Sequence, residues 1–232
     1  MFGRRRDQAE AQRKRRGERA AEVPDRAPDN GSSDEQLATV GPYDVAEEPD
    51  DGRIRLDLGS LRLPVPQGAQ LQVEVDSSGP VRAVHLMTGL GQVTLTPYAA
   101  PRSGGLWREV CRELVARLRA DGARVGRASG EWGEEIEAVT AQGVLRFLAV
   151  DGPRWMLRGV AVGPAEHAEA RTALLREVVR ESVVVRGPEP LPVRSPLPLQ
   201  LPGPLAEQLK QATAAGPDDP TTVGDGSSVR QS

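Results

Sequence analysis

The stretch from residue 104 to residue 122 constrains the fold of this chain most strongly. Its apolar residues recur every three or four positions, the spacing that places side chains on one face of a helix: Trp107, Val110, Cys111, Leu114, Val115 and Leu118. On the other face, Glu109 and Glu113 precede Arg112 and Arg117 by about one turn, which predicts ion pairs along the helix. Gly122 stands where a helix usually ends. The stretch therefore predicts an amphipathic helix whose apolar face must be buried.

The residues before this helix alternate between apolar and polar, as half-buried strands do. The alternating segments are residues 53–58, 61–65, 70–75, 81–87 and 93–97. In the first of them Ile54, Leu56 and Leu58 are expected to face a core. Pro64 and Pro66 cannot donate ladder hydrogen bonds, so residues 61–65 are expected to form an edge strand or a short exit from the sheet. Turn residues at 76–80 and 88–91 then predict an antiparallel meander.

The second half of the chain repeats this order. Strands are expected at residues 124–129, 134–140, 144–150 and 155–162, and residues 183–185 are expected to form either a last short strand or an extended tail packed on the sheet. Between the last two, a second helix is predicted to end at Glu181, with a buried stripe of Leu174, Leu175, Val178 and Val179. The pattern favours one α+β domain over residues 53–187, a twisted antiparallel sheet with two main helices packed on it.

Both ends of the chain differ in composition from this domain. We expect residues 1–52 to be a disordered arm, basic at first and then acidic. Its basic residues are Arg4, Arg5, Arg6, Arg13, Lys14, Arg15, Arg16 and Arg19. They are candidates for electrostatic contact with nucleic acid, anionic membrane or an acidic partner; the alternative is a solubilising tail.

Residues 188–212 are rich in proline and leucine, and residues 213–232 are polar. The first segment suits either an aromatic groove on another protein or, as we prefer, docking on the domain's own surface. We expect the second segment to be a disordered tail.

Composition limits the class of protein. The formal net charge is −3, which argues against attraction of the whole surface to nucleic acid. A single cysteine cannot form an internal disulfide, and no apolar run is long enough for a transmembrane segment. The first residues also lack the apolar region of a secretory signal, so we expect a cytoplasmic protein.

No catalytic constellation, cofactor motif or metal site is found in the sequence, so we expect a protein that is not an enzyme. His85 and His167 are far apart, and Gly89-Leu90-Gly91 lacks the third glycine of a dinucleotide-binding turn. Each remaining candidate is interpreted as structural: Cys111 as a buried hydrophobe, four glutamates (Glu131, Glu134, Glu135, Glu137) as a solvated edge, and Trp107, Trp132 and Trp155 as packing residues.

Several segments together resemble a known family. They are the opening Met-Phe-Gly-Arg-Arg-Arg, the acidic spacer, residues 53–66, the Leu-Trp-Arg-Glu that begins at Leu106, and residues 151–160 with their Trp-Met-Leu-Arg-Gly run. The chain is similar to an actinobacterial family called domain of unknown function 3710, which implies no activity and no site residues. The order of elements also resembles the Mog1/PsbP-type α/β sandwich, a likeness of layout that does not imply function.

The sequence leaves three functional hypotheses. The first is a non-enzymatic binding or scaffold domain with a protein partner. The second is a nucleic-acid or membrane-surface accessory protein that acts through the arm. The third is a small-molecule carrier or enzyme with a pocket between sheet and helix, in which Arg146, Arg158 or His85 are the candidate polar contacts.

Overall fold

The computed structural model describes residues 41–75, 81–203 and 206–207. Their strands are β1 (Tyr43–Asp44), β2 (Arg55–Asp57), β3 (Leu61–Pro64), β4 (Gln70–Val75), β5 (Val81–Thr88), β6 (Gly91–Ala99), β7 (Arg124–Gly130), β8 (Gly133–Thr140), β9 (Gly143–Gly152), β10 (Trp155–Gly163) and β11 (Val183–Val184). The helices are α1 (Leu106–Ala120) and α2 (Ala168–Glu181), and short 3₁₀ turns span Val45–Glu47 and Ala165–His167.

Seven strands form one antiparallel sheet in the order β4-β5-β6-β10-β9-β8-β7. The chain builds it from two meanders, β4-β5-β6 and β7-β8-β9-β10, which join where β6 pairs with β10. The strands and hairpins predicted from period-two alternation are therefore confirmed. The turn expected at residues 76–80 lies outside the described residues.

The two helices lie on opposite faces of this sheet. Successive residues of a strand point to opposite faces, so two neighbouring residues of β9 show which helix covers each face. Phe147 faces α1 and contributes with Cys111 to one apolar cluster. Its neighbour Leu148 faces α2 and contributes with Leu175 to the other. α1 packs on β7, β8 and β9, whereas α2 packs on β10 and β6. α1 consequently covers only part of its face of the sheet.

A second, four-stranded sheet, in the order β1-β11-β3-β2, lies on the α2 side. Its inward residues Leu61, Leu63 and Val184 are at most 1% exposed and belong to the same apolar cluster as Leu175 of α2. The expectation of a single sheet is thus corrected: β2, β3 and β11 pair with β1 and each other, where they bury these side chains. The coarser class, α+β, describes the structure, which is mostly strand.

Two details of the first strands also differ from the expectation. β3 lies between β11 and β2 rather than at an edge, and Pro64, which lacks a donor, is its last residue. Ile54 lies outside β2 and is 94% exposed, whereas Leu58 is fully buried. The strand therefore begins later than predicted, and the expectation that Ile54 faces a core is wrong.

The folded part of the chain begins earlier than the composition suggested, because residues 41–52 contact it. The Trp132 indole donates to the Gly41 carbonyl at 3.0 Å, and the Trp155 indole donates to Asp44 Oδ2 at 2.8 Å. Arg55 also holds both carboxylate oxygens of Asp51, at 3.0 and 2.7 Å. These contacts use backbone and carboxylate groups, so a composition rich in proline and acid does not reveal them. The arm at residues 1–40 lies outside the described residues.

The proline- and leucine-rich segment lies along the domain as far as residue 203. The backbone amides of Arg194, Leu197 and Gln200 donate to carbonyls of Ala99, Pro97 and Leu58, at 2.8 to 2.9 Å. The side chains of Leu197 and Leu199 are only 3% and 7% exposed. The segment therefore closes part of the apolar cluster on the α2 side.

Candidate binding groove

A groove of about 440 Å³ lies between the first half of α1 and the β7–β8 hairpin. It is lined by Gly105, Trp107, Arg108, Cys111, Arg112, Arg127, Trp132, Gly133, Glu134 and Asp151. We call it the α1 groove. It fits the predicted kind of site, a pocket between sheet and helix, but none of the three predicted polar contacts lines it.

The hairpin supplies one wall of the groove. Gly130 pairs with Gly133 across the two-residue turn Glu131-Trp132, and Gly133 adopts a φ of +115°, which favours glycine. The Trp132 ring is fixed because its indole donates to the Gly41 carbonyl and the Arg180 guanidinium lies 5.8 Å from its centroid. These two contacts hold the tip of the hairpin in place.

The other wall is the start of α1. Gly105 provides no side-chain cap, so the helix relies on Asp151, whose carboxylate accepts from the Trp107 amide at 3.3 and 3.4 Å. The Trp107 indole donates to the Glu134 carbonyl at 2.7 Å, which ties the helix to β8. Because Asp151 already neutralises the positive end of the helix, the arginines are the groups left to attract an anion.

Cys111 lies in the floor of the groove and is 3% exposed. Burial, together with the thiol's hydrogen bond to Glu134 Oε1 at 3.1 Å, raises the pKa of Cys111 to about 11. The thiolate is the nucleophilic form of cysteine, and it is scarce at neutral pH with such a pKa. This agrees with the interpretation of Cys111 as a small buried hydrophobe.

Three arginines of α1 project along the side of the helix that borders the groove. Arg108, Arg112 and Arg119 lie at spacings of four and seven residues, which places them on one flank. All three are exposed, and none forms an ion pair within the described part of the chain. We call them the arginine flank. Arg127 faces them from β7, with Nη1 3.1 Å from Glu134 Oε1.

The acidic residues of α1 do not neutralise this flank. Glu109 and Glu113 bind Arg194 of the docked C-terminal segment, at 2.9 to 3.0 Å. The ion pairs predicted within the helix, with Arg112 and Arg117, are therefore replaced by pairs with a distant part of the chain. Among the described residues, the result is a positive flank without carboxylate partners next to the groove.

The three residues proposed as polar contacts do not meet. Arg146 lies on the α2 side, where it binds Glu137 at 2.5 Å. Arg158 lies on the α1 side, 4.9 Å from the centroid of the Tyr98 ring. His85 is on that side too, but on β5, where its Nδ1 is 2.7 Å from Thr94 Oγ1. It is held in a small polar network on the part of the sheet that α1 leaves uncovered, whereas His167 lies in the turn before α2.

The four glutamates considered as a cation cluster each contact a cationic side chain, so they are structural. Glu135 accepts from Arg176 at 2.9 and 2.7 Å, and Glu131 accepts from Arg180 at 3.2 and 2.5 Å. Glu135 is only 2% exposed, which corrects its assignment to a solvated edge. Gly130 leaves room for that carboxylate, because a Cβ there would collide with it. Within the described ranges, no group of His, Cys, Asp and Glu is arranged to hold a metal ion.

The remaining predicted candidates lie away from the α1 groove or outside the described residues. Gly89-Leu90-Gly91 lies in the tight β5–β6 connection, as expected of a hairpin turn. The eight basic residues from Arg4 to Arg19 lie outside the described residues. The arginine flank itself was missed, because arginines on the polar face of a helix look like ordinary solvated charge. Its four- and seven-residue spacing was the available signal.

The fold and the groove define a small α+β domain with a cationic surface cleft. Residues 41–208 match the model of a family described as protein of unknown function (DUF3710), and the chain belongs to that family. The resemblance to domain of unknown function 3710 found in the sequence is thereby confirmed. No curated protein and no solved structure matches the chain. In the part of the chain that the structure describes, neither helix has the length and apolar character needed to cross a bilayer.

Proposed function

We propose that this protein is a non-enzymatic binding or scaffold protein of the bacterial cytoplasm, and that it holds an acidic segment of a partner protein in the α1 groove. The observation that carries the proposal is the arginine flank, whose guanidinium groups form no ion pair with any described residue and lie beside a groove lined in part by Trp107 and Trp132. Guanidinium groups bind carboxylates in bidentate geometry, which suits an acidic segment.

The energetics favour a moderate affinity. Single exposed ion pairs contribute roughly 0–1 kcal/mol each, so three of them supply at most about 3 kcal/mol of the binding free energy. The groove offers three arginines, Arg108, Arg112 and Arg127, and in the part of the chain that the structure describes only Arg127 is paired with a glutamate. Such an interaction suits a regulated partner better than a permanent one.

The chemistry of the groove supports binding rather than catalysis. The Cys111 thiol is buried with a raised pKa, and both histidines lie on other elements. A lone unpaired thiol also suits a reducing cytoplasm. A small-molecule carrier or enzyme using the same groove is the weaker alternative, because none of the residues predicted as its polar contacts lines the groove.

A second candidate is electrostatic recruitment to nucleic acid or an anionic membrane through Arg4 to Arg19. It is favoured by the eight basic side chains between residues 4 and 19, and it predicts binding that falls steeply with salt. This function does not require the groove, so groove substitutions separate it from the first proposal.

The test is a titration of the full chain with a fluorescent twelve-residue peptide of alternating Glu and Thr, followed by anisotropy. We expect Arg108→Gln/Arg112→Gln to weaken binding about tenfold or more, since two charge-assisted contacts are removed. Arg117→Gln is the matched control for the single substitutions Arg108→Gln and Arg112→Gln, because Arg117 is exposed on the opposite flank of the same helix. We expect it to change the affinity less than about twofold.

Competition distinguishes the candidates. A Gln-Thr peptide of the same length reports any uncharged contribution, and single-stranded DNA and phosphatidylserine vesicles report the second function. Equal loss of binding in Arg112→Gln and Arg117→Gln would contradict the groove proposal. Binding only to DNA or vesicles, insensitive to Arg112→Gln, would favour the arm instead.

A further inference from the structure

The outer edge of β7 is unpaired. β7 is the terminal strand of the seven-stranded sheet, and within the described residues no other strand pairs with its outer side. Arg124, Gly126, Arg127, Ala128 and Ser129 are exposed along it. An edge of seven residues without proline or bulge can pair with another strand. Proteins usually protect such edges from pairing.

The register of the hairpin identifies the free backbone groups. Gly130 and Gly133 flank a two-residue turn, so they form the hydrogen-bonded pair that closes the hairpin. Hydrogen-bonded and non-hydrogen-bonded pairs then alternate along an antiparallel ladder. Val125, Arg127 and Ser129 fall in non-hydrogen-bonded pairs, so their amide and carbonyl groups point away from β8 toward the free edge.

The charges beside this edge select the kind of strand that fits. Arg127 faces the α1 side, toward Arg108 and Arg112, with which it lines the α1 groove. A strand added to β7 would project every second side chain to that side, into reach of the three guanidiniums.

We infer that an acidic segment of a partner protein binds as an eighth strand on the free edge of β7, with alternate carboxylates in the α1 groove. This inference rests on the proposed function and adds the binding mode. Main-chain hydrogen bonds to Val125, Arg127 and Ser129 supply affinity, and the arginines supply specificity for acidic residues at alternate positions.

The first test substitutes one outward amide. Ser129→Pro removes an amide that points to solvent and leaves the β8 ladder intact, and proline is tolerated on edge strands. Ser129→Ala is the matched control, because it keeps the amide and removes only the side chain. In the full chain, we expect Ser129→Pro to weaken binding of the alternating Glu-Thr peptide about tenfold or more, and Ser129→Ala to change it less than about twofold.

The second test does not depend on a variant that must fold. Hydrogen exchange measured by NMR on the full chain should show the amides of Val125, Arg127 and Ser129 becoming protected, about tenfold or more, when the peptide saturates the protein. The amides of Gly126 and Ala128, which bind β8, should be protected before and after.

Each result separates the two proposals. Binding that needs Arg112 but is unaffected by Ser129→Pro, with the outward amides unprotected, overturns strand addition and leaves the groove function standing. Absence of arginine-dependent binding overturns both. Protection of the outward amides in the free chain that grows with protein concentration would assign the edge to a second copy of this chain, and would also overturn the inference.

Discussion

Arg171 is a buried cation whose hydrogen-bond partners are carbonyl groups. It is 2% exposed, and its guanidinium donates to the carbonyls of Leu90, Val144, Gly163 and Pro164 at 2.9 to 3.2 Å. These carbonyls lie at the ends of β6, β9 and β10, so one side chain of α2 joins three strand ends. Burial lowers the pKa of Arg171, as expected when a charge loses water without gaining a carboxylate.

We predict that Arg171→Lys destabilises the fold by about 2–4 kcal/mol, because an ammonium group cannot reach four carbonyls spread around a planar fork. Urea unfolding followed by circular dichroism measures the change. Arg117→Lys, at an exposed position of α1, is the control and should shift the free energy of unfolding by less than about 0.5 kcal/mol. Equal effects of the two substitutions would show that the hydrogen bonds from Arg171 to the four carbonyls do not contribute to stability.

Asp51 predicts a dependence of stability on acid pH. The bidentate hydrogen bond from Arg55 lowers the pKa of Asp51 from 3.8 to about 2. A lowered pKa in the folded state stabilises the fold above the unfolded value, and this contribution is lost as pH falls from about 4 to about 2. The difference in unfolding free energy between wild type and Asp51→Asn should therefore be constant from pH 5 to 7 and shrink below pH 4. A difference that stays constant down to pH 2.5 would contradict this.

At the scale of the element, local patterns predicted what each segment forms but not what it contacts. The apolar stripe of α1 is a local property, and the predicted helix is confirmed almost to the residue. Its charge pairs were wrong because Arg194, more than 80 residues away in sequence, binds Glu109 and Glu113. Arg171 was missed for a related reason: an arginine on a helix is usually at the surface, and only the assembled strand ends make its burial favourable.

The contribution of the docked C-terminal segment to stability can be tested by substituting two of its side chains. Leu197 is 3% exposed within the apolar cluster on the α2 side, whereas Val193 is 51% exposed. We predict that Leu197→Ala lowers the free energy of unfolding by about 2–4 kcal/mol, through lost burial and the cavity left behind. Val193→Ala should change it by less than about 0.5 kcal/mol. If Leu197→Ala were as mild, the segment would not be part of the cooperative fold.

At the scale of the whole molecule, the sequence predicted the meanders and helices but not how they assemble. The joining of β6 to β10, the separate four-stranded sheet and the inclusion of residues 41–52 depend on pairings between distant segments. The α1 groove has the same origin, since it exists only where a hairpin tip meets a helix. Periodicity within one segment contains no information about such meetings.

The single cysteine provides a test of the assembled molecule. Cys111 lies between α1 and the seven-stranded sheet, with a raised pKa of about 11, so alkylation requires both exposure and deprotonation. At pH 8 we predict that iodoacetamide modifies native Cys111 about a hundredfold more slowly than an exposed thiol introduced by Ser103→Cys in a Cys111→Ala background. In urea, the modification rate should rise together with the unfolding transition seen by circular dichroism, because α1 must leave the sheet to expose the thiol. Rapid modification below that transition would show instead that α1 separates locally, and would make the groove beside it a moving surface.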